Sequence, residues 1–168
     1  MALKLRNLNV NLPFGLGGAS IEITEGQARV AWALYIEMAT RIVTQNLKKG
    51  EGSVRESLNS IYSLFDTTRS VLREAGPDAA SGPDSIGPIA IMILNQGIRP
   101  KLVKWHTSLG DFEAGETLRQ QKELGSNAKI VVDEPRWKDY DKFYEEMEDF
   151  QSEMKDYLDL LAEIAGIK

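Results

Sequence analysis

The strongest constraint on the fold is a stripe of large apolar residues near the C-terminus, which recur at alternating intervals of four and three positions. Its members are Phe143, Met147, Phe150, Met154, Tyr157, Leu161 and Ile164. Because an α-helix turns once in about 3.6 residues, this spacing places all of these side chains on one side of a single helix. Such a seam packs lengthwise against other helices, so the sequence predicts a helical bundle.

Three further segments carry the same helical spacing of apolar residues. The predicted helices cover residues 25–46, 51–75, 85–112 and 135–165. Thr24, followed three positions later by Gln27, is the capping-box pattern that marks the start of the first helix. Apolar spacing continues on both sides of Pro100, so we expect one kinked helix there rather than two helices joined by a loop.

Residues 3–24 have a different pattern, in which apolar and polar residues nearly alternate around a turn rich in glycine and proline. This alternation predicts an N-terminal β-hairpin that lies against the helices. The segment Ala128 to Val132 also has strand character and is expected to add a third strand to the hairpin. The predicted fold is therefore mainly α: a single domain over residues 1–168, built as an up-down-up-down four-helix bundle with an N-terminal hairpin.

Composition excludes several classes of function and setting. The formal net charge of −5 disfavours nucleic acid as a partner, because duplex-binding domains present a basic surface. The chain has no cysteine, which excludes disulfides and thiolate metal sites. The longest strongly apolar run, residues 86–94, is too short to span a membrane, and the N-terminus lacks a signal-peptide pattern. A reduced, cytoplasmic location is expected.

The first candidate site is the tip of the predicted hairpin. Phe14 and Leu16 are large apolar residues on a turn, and exposed apolar side chains on a projecting turn often mark a contact surface. The alternative is that both residues fold back onto the end of the bundle. The tip is therefore a candidate protein-binding surface, provided that it projects into solvent.

The second candidate site is a polar and aromatic cluster on the third helix. It consists of Arg99, Lys104, Trp105 and His106, the only histidine in the chain. Arg99 and His106 are seven positions apart and therefore share a helix face, where they would bind a small anionic ligand. The alternative is that Trp105 belongs to the core, His106 borders the bundle and the cations are solvated.

Catalytic and cofactor motifs do not stand out from the sequence. Carboxylate-bridged di-iron bundles need two Glu-x-x-His motifs, and the chain contains none. The glycine-rich turn at residues 14–18 is followed by a second predicted strand rather than by the helix that a dinucleotide fingerprint requires. We therefore expect no cofactor, no metal and no enzymatic activity.

Four segments, taken together, resemble a family of small proteins. They are residues 11–15, 31–37, 63–69 and 94–106, the last reading Leu-Asn-Gln-Gly-Ile-Arg-Pro-Lys-Leu-Val-Lys-Trp-His. The chain resembles uncharacterised all-helical bacterial proteins that accompany signalling or conflict (antiviral defence) systems. The resemblance implies a bacterial accessory protein and assigns no catalytic residue. The favoured function is a regulatory or interaction module that binds a larger effector or enzyme, or a second copy of itself.

Overall fold

The computed structural model describes residues 6–41 and 47–167, and it shows a helical bundle with an N-terminal hairpin. The hairpin consists of β1 (Arg6–Asn11) and β2 (Gly18–Ile23), which pair antiparallel. The strands are joined by a loop that contains a turn of 3-10 helix at Pro13–Gly15 and is closed by a hydrogen bond of 2.7 Å from the Leu12 N–H to the Gly17 carbonyl. The predicted hairpin is confirmed, and its first residues, 3–5, lie outside the described residues.

The helices follow the hairpin in chain order. They are α1 (Glu25–Ala39), α2 (Val54–Ala75), α3 (Ile86–Met92), α4 (Arg99–Leu124) and α5 (Tyr140–Ala165). The N-cap predicted for α1 is present, because the Thr24 hydroxyl accepts a hydrogen bond of 3.2 Å from the Gln27 N–H. The last residues of the predicted first helix, 42–46, lie outside the described residues. The last helix begins at Tyr140, five residues after Pro135, which belongs to a separate 3-10 turn.

A π-helical segment, Ile93–Ile98, joins α3 to α4 without a break. Pro100 follows this segment directly and has no N–H to donate to the preceding turn. A π turn widens the helix by one residue, so the Arg99 N–H bonds the Leu94 carbonyl, five positions back. The continuous helix predicted across Pro100 is confirmed, and the irregularity at this point takes the form of a π segment.

Neighbouring helices in the bundle run antiparallel. Arg55, near the start of α2, contacts Glu113 late in α4, whereas Phe65 contacts Arg99 at the start of α4. The same reversal holds between α4 and α5, where Ser108 bonds Asp139 and Lys101 lies over Phe150. Helix α1 packs against both α2 and α5 and so completes a closed arrangement of four long helical rods. The up-down-up-down prediction is confirmed.

The predicted seam of α5 forms the centre of the core. Every one of its seven apolar residues is buried, and Phe143, Met154 and Leu161 are fully enclosed. Side chains from the other helices surround them, among them Leu34 of α1, Leu58 of α2 and Leu109 of α4. Burial of this seam holds the helices in the register that places the surface residues described below.

Two predictions about the region after residue 112 are wrong. Helix α4 continues to Leu124 instead of ending at residue 112, and residues 128–132 do not join the sheet, which has two strands within the described residues. The physical reason lies in Gln120. Its amide accepts a hydrogen bond of 3.1 Å from the Val131 N–H and donates one of 2.6 Å to the Val131 carbonyl. A helical side chain therefore takes the place of the expected strand partner.

Candidate functional site: the face between α2 and α4

The hairpin tip does not project into solvent. Phe14 and Leu16 are half-buried and pack against the core. The Phe14 ring lies 5.8 Å from the ring of Phe150, and its N–H donates a hydrogen bond of 2.5 Å to the Glu153 carboxylate. Of the two alternatives, the structure shows the one in which both residues fold back onto the bundle, because the absence of a side chain at Gly97 leaves a notch in the helix that the Phe14 ring fills. A partner-binding role for Phe14 and Leu16 stays a prediction.

Trp105 and Lys104, two members of the predicted anion site, face away from the other two. Trp105 is buried, with its ring centroid 5.5 Å from Phe143 and 5.6 Å from Trp137. The Lys104 ammonium bonds the Glu146 carboxylate of α5 at 2.7 Å and lies 4.4 Å from the Trp105 ring centroid. Trp105 is therefore a core residue, and the charge of Lys104 is already matched across the contact with α5.

Arg99 and His106 both face α2, as their spacing predicts. The Arg99 guanidinium lies 4.7 Å from the centroid of the Phe65 ring and donates hydrogen bonds of 3.1 and 3.2 Å to the Asn95 amide oxygen. His106 makes an edge contact with Tyr62, with the ring centroids 6.0 Å apart. The anion site predicted from four residues is thus split between two sides of α4.

An ion pair holds His106 in place. Arg55 of α2 makes two hydrogen bonds to the Glu113 carboxylate, at 2.9 and 2.6 Å, and its third nitrogen, Nη1, lies 2.8 Å from His106 Nδ1. Because the guanidinium always donates, Nδ1 accepts, and the neutral imidazole carries its proton on Nε2. Burial lowers the pKa of His106, and the neighbouring charge of Arg55 lowers that pKa further, while Glu113 acts weakly in the opposite sense.

This arrangement keeps the imidazole neutral near pH 7. Its Nε2 atom is buried and has no hydrogen-bond partner among the residues that the structure describes. Because its Nε2–H is buried and its Nδ1 is taken by Arg55, the neutral imidazole offers little to an anion. What His106 does contact is the Tyr62 ring, against which it packs in a T-shaped arrangement.

Two large apolar side chains beside His106 are exposed to solvent. Tyr62 is 58% exposed and Val103 is 57% exposed, and Val103 lies one turn before His106 on the same side of α4. Together with Arg99 and His106 they form a continuous surface, which we name the α2–α4 face. Tyr62 was not predicted from the sequence, although an aromatic residue next to the α2 seam and outside it was a usable signal. The Arg55–Glu113 pair was not predicted either, since the two residues lie on different helices.

In the part of the chain that the structure describes, no helix has both the length and the apolar character needed to cross a membrane. Within residues 6–41 and 47–167, no three His, Cys, Asp or Glu side chains come together as a group able to hold a metal ion.

The fold and this face define the chain as a four-helix bundle with a docked hairpin and a surface of mixed aromatic, aliphatic and cationic character. Comparison with protein-family models, with curated proteins and with solved structures gives no match.

Proposed function

We propose that this chain is a non-enzymatic protein-interaction module and that its α2–α4 face binds the protein partner. The observation that carries the proposal is the exposure of Tyr62 and Val103, each more than half open to solvent beside Arg99. Tyrosine and arginine are among the residues that contribute most to binding energy at protein interfaces. Tyr62 of α2 and Arg99 of α4 are two such side chains, and Val103, one turn after Arg99, adds apolar area beside them.

The side chains of this face are held in place before any partner arrives. The Tyr62 ring makes a T-shaped contact with His106, which Arg55 fixes, and Arg99 lies over Phe65 with its guanidinium bonded to Asn95. A side chain that is already ordered loses less conformational entropy on binding, which favours affinity. His106 therefore serves as a positioning residue for Tyr62 in this proposal.

The chemistry of the face indicates the chemistry of its partner. Tyr62 and Val103 would cover an apolar side chain, whereas Arg99 retains donor groups for a carboxylate, since its bonds within the chain are to the neutral Asn95 amide. The partner is thus a protein surface with an apolar residue next to an acidic one. Charged pairs such as Arg69–Asp66 supply a polar rim.

The biological setting is proposed from the resemblance described above. It is an accessory, regulatory role beside a larger effector or enzyme of a signalling or defence system in the bacterial cytoplasm. Sensing of a small anion is the weaker proposal, because Lys104 is paired with Glu146 on the opposite side of α4 from His106.

A capture experiment with matched variants tests the proposed function. The native chain, a Tyr62→Ala/Val103→Ser double variant and a Trp32→Ala variant are used as baits in the native host, and bound proteins are quantified by mass spectrometry. Trp32 is the matched control, because it is 46% exposed, aromatic and located on α1, away from the α2–α4 face. Surface changes of this kind usually alter stability by no more than about 0.5 kcal/mol, which thermal melts verify.

The expected result is a protein that the native chain and the Trp32→Ala variant both retain and that the double variant loses. Arg99→Ala should weaken the same partner, because it removes the group that meets the carboxylate. Retention of every partner by a folded double variant, or loss caused by Trp32→Ala alone, would show that the α2–α4 face is not the docking surface.

A further inference from the structure

The segment Ala128 to Asp133 has the properties of an unpaired β-strand at the surface. It lies outside helices and sheets, and along it half-buried residues alternate with exposed ones, the period of an extended chain. The exposed positions are Lys129, Val131 and Asp133, of which Val131 is 64% exposed. The segment therefore presents one edge and one face that nothing in the described chain covers.

The inner edge of this segment is already paired. The Gln120 amide bonds both the N–H and the carbonyl of Val131, at 3.1 and 2.6 Å, as the peptide group of a neighbouring strand would. Gln120 is itself buried, so α4 holds the segment firmly at its centre.

The outer edge is open. In an extended chain, successive residues direct their backbone N–H and carbonyl groups to opposite edges, so those of Ile130 and Val132 point away from α4. Within residues 6–41 and 47–167, these backbone groups have no hydrogen-bond partner. An unpaired strand edge of this kind is a template for another strand.

We propose that a second copy of this chain pairs with the outer edge, antiparallel and about a two-fold axis at Val131. Val131 directs its backbone inward to Gln120, so the two copies of Val131 face each other at a position without hydrogen bonds between the strands. Ile130 then exchanges both backbone hydrogen bonds with Val132 of the second copy, on each side of the axis. This self-association goes beyond the proposed function and does not depend on it.

Charge complementarity selects a second copy as the occupant. An antiparallel two-fold at Val131 places Lys129 directly opposite Asp133 of the second copy, and Asp133 opposite Lys129. Both charges lack an ion pair in the described part of the chain. They fall at positions without backbone hydrogen bonds, where opposed side chains are closest, and opposite charges there are favourable. A shift of one residue would set outward-pointing backbone groups against inward-pointing ones. A shift of two would set both charges against uncharged residues, namely Val131 together with Asn127 or Pro135, so this register is the favoured one.

Variants that alter the charges of Lys129 and Asp133 test the pairing. Their dimerisation is measured by sedimentation velocity at concentrations up to about 1 mM, because a short strand pair gives a small and weak interface. Lys129→Asp alone and Asp133→Lys alone each bring like charges together, and each should raise the dimer dissociation constant about tenfold or more, which corresponds to about 1.4 kcal/mol. An equimolar mixture of the two variants restores opposite charges and should form a heterodimer. Lys122→Asp makes the same charge change on α4 outside the segment and should dimerise like the native chain.

Amide hydrogen exchange identifies the edge itself. The amides of Ile130 and Val132 should become protected as the native chain is concentrated, and they should stay unprotected in the Lys129→Asp variant. A native chain that stays monomeric at about 1 mM would overturn the proposal. So would a dimer that both single variants form as tightly as the native chain, or one that leaves the Ile130 and Val132 amides unprotected.

Discussion

Replacing Gly97 with alanine should destabilise the protein, although alanine is the better helix former. An ideal Cβ at Gly97 would lie 2.5 Å from Phe14 Cδ2 and 2.7 Å from Phe14 Cγ. Carbon atoms in contact are normally about 3.5–4 Å apart, so the added methyl overlaps the ring by about 1 Å. The ring is not free to retreat, because it packs on Phe150 and the Phe14 N–H is bonded to Glu153.

The magnitude follows from two opposing effects. Alanine stabilises a helical position by about 0.8–1 kcal/mol relative to glycine. An extra carbon forced into a well-packed contact costs about 1–3 kcal/mol. The free energy of unfolding of the Gly97→Ala variant should therefore fall by about 1 kcal/mol, and its Tm by about 2–4 °C for a chain of this size.

Gly110 provides a matched control within the same continuous helix. A Cβ at Gly110 meets no atom within 4 Å, so Gly110→Ala should raise the free energy of unfolding by about 0.5–1 kcal/mol. In a Phe14→Ala background the clash is gone, and there Gly97→Ala should become stabilising as well. Urea unfolding of the single and double variants measures this change of sign. Stabilisation by Gly97→Ala in the native background, equal to that by Gly110→Ala, would show that Phe14 and Gly97 are not in close contact.

Two further predictions concern the N-terminal end of α2 and the contact between α2 and α4. The Glu134 carboxylate accepts hydrogen bonds of 2.7–3.1 Å from the N-cap and first residues of α2. In urea titrations, Glu134→Ala should therefore lower the free energy of unfolding by about 1–3 kcal/mol. Glu148→Ala, on the exposed side of α5, is the control and should change that free energy by about 0.5 kcal/mol or less. Burial and Arg55 lower the pKa of His106, so the unfolded chain binds a proton at this residue more readily than the folded chain does. The free energy of unfolding should therefore be unaffected by His106 above about pH 6.5 and should decline as the pH falls below that value. His106→Gln, which keeps an acceptor for Arg55, should lose less stability than the native chain between pH 7.5 and pH 5; an equal loss in both would contradict the assignment.

The seams, the caps and the hairpin were predictable because each depends on residues close together in the sequence. The α5 seam repeats over six intervals, and Thr24 caps a helix three residues away. The extension of α4 was not predictable in the same way, because its buried residues there, Glu116 and Gln120, are polar and read as solvated positions. A buried amide that pairs with a distant backbone leaves no periodic signal in the sequence.

The candidate site was predictable only as far as helix geometry reaches. A spacing of seven places Arg99 and His106 on one face, and both do contact α2. Lys104 and His106 are only two positions apart, which is a rotation of about 200° around a helix, so they point to opposite sides of α4. Which of these sides meets α2 and which meets α5 depends on the packing of the whole bundle, and for that reason Tyr62 and Arg55 were not found.

The position of α1 between α2 and α5 has a consequence for the order of events when the chain is synthesised. The apolar side of α1, which includes Val30, Leu34 and Met38, packs most extensively against α5, the helix of the bundle farthest from it along the chain. Phe14 likewise rests on Phe150. The part of the α1 surface that faces α5 therefore stays uncovered until residues 140–165 have emerged from the ribosome, whereas α2 can cover the rest earlier. A nascent chain halted before α5 would expose that surface to chaperones, whereas emergence of α5 would bury it.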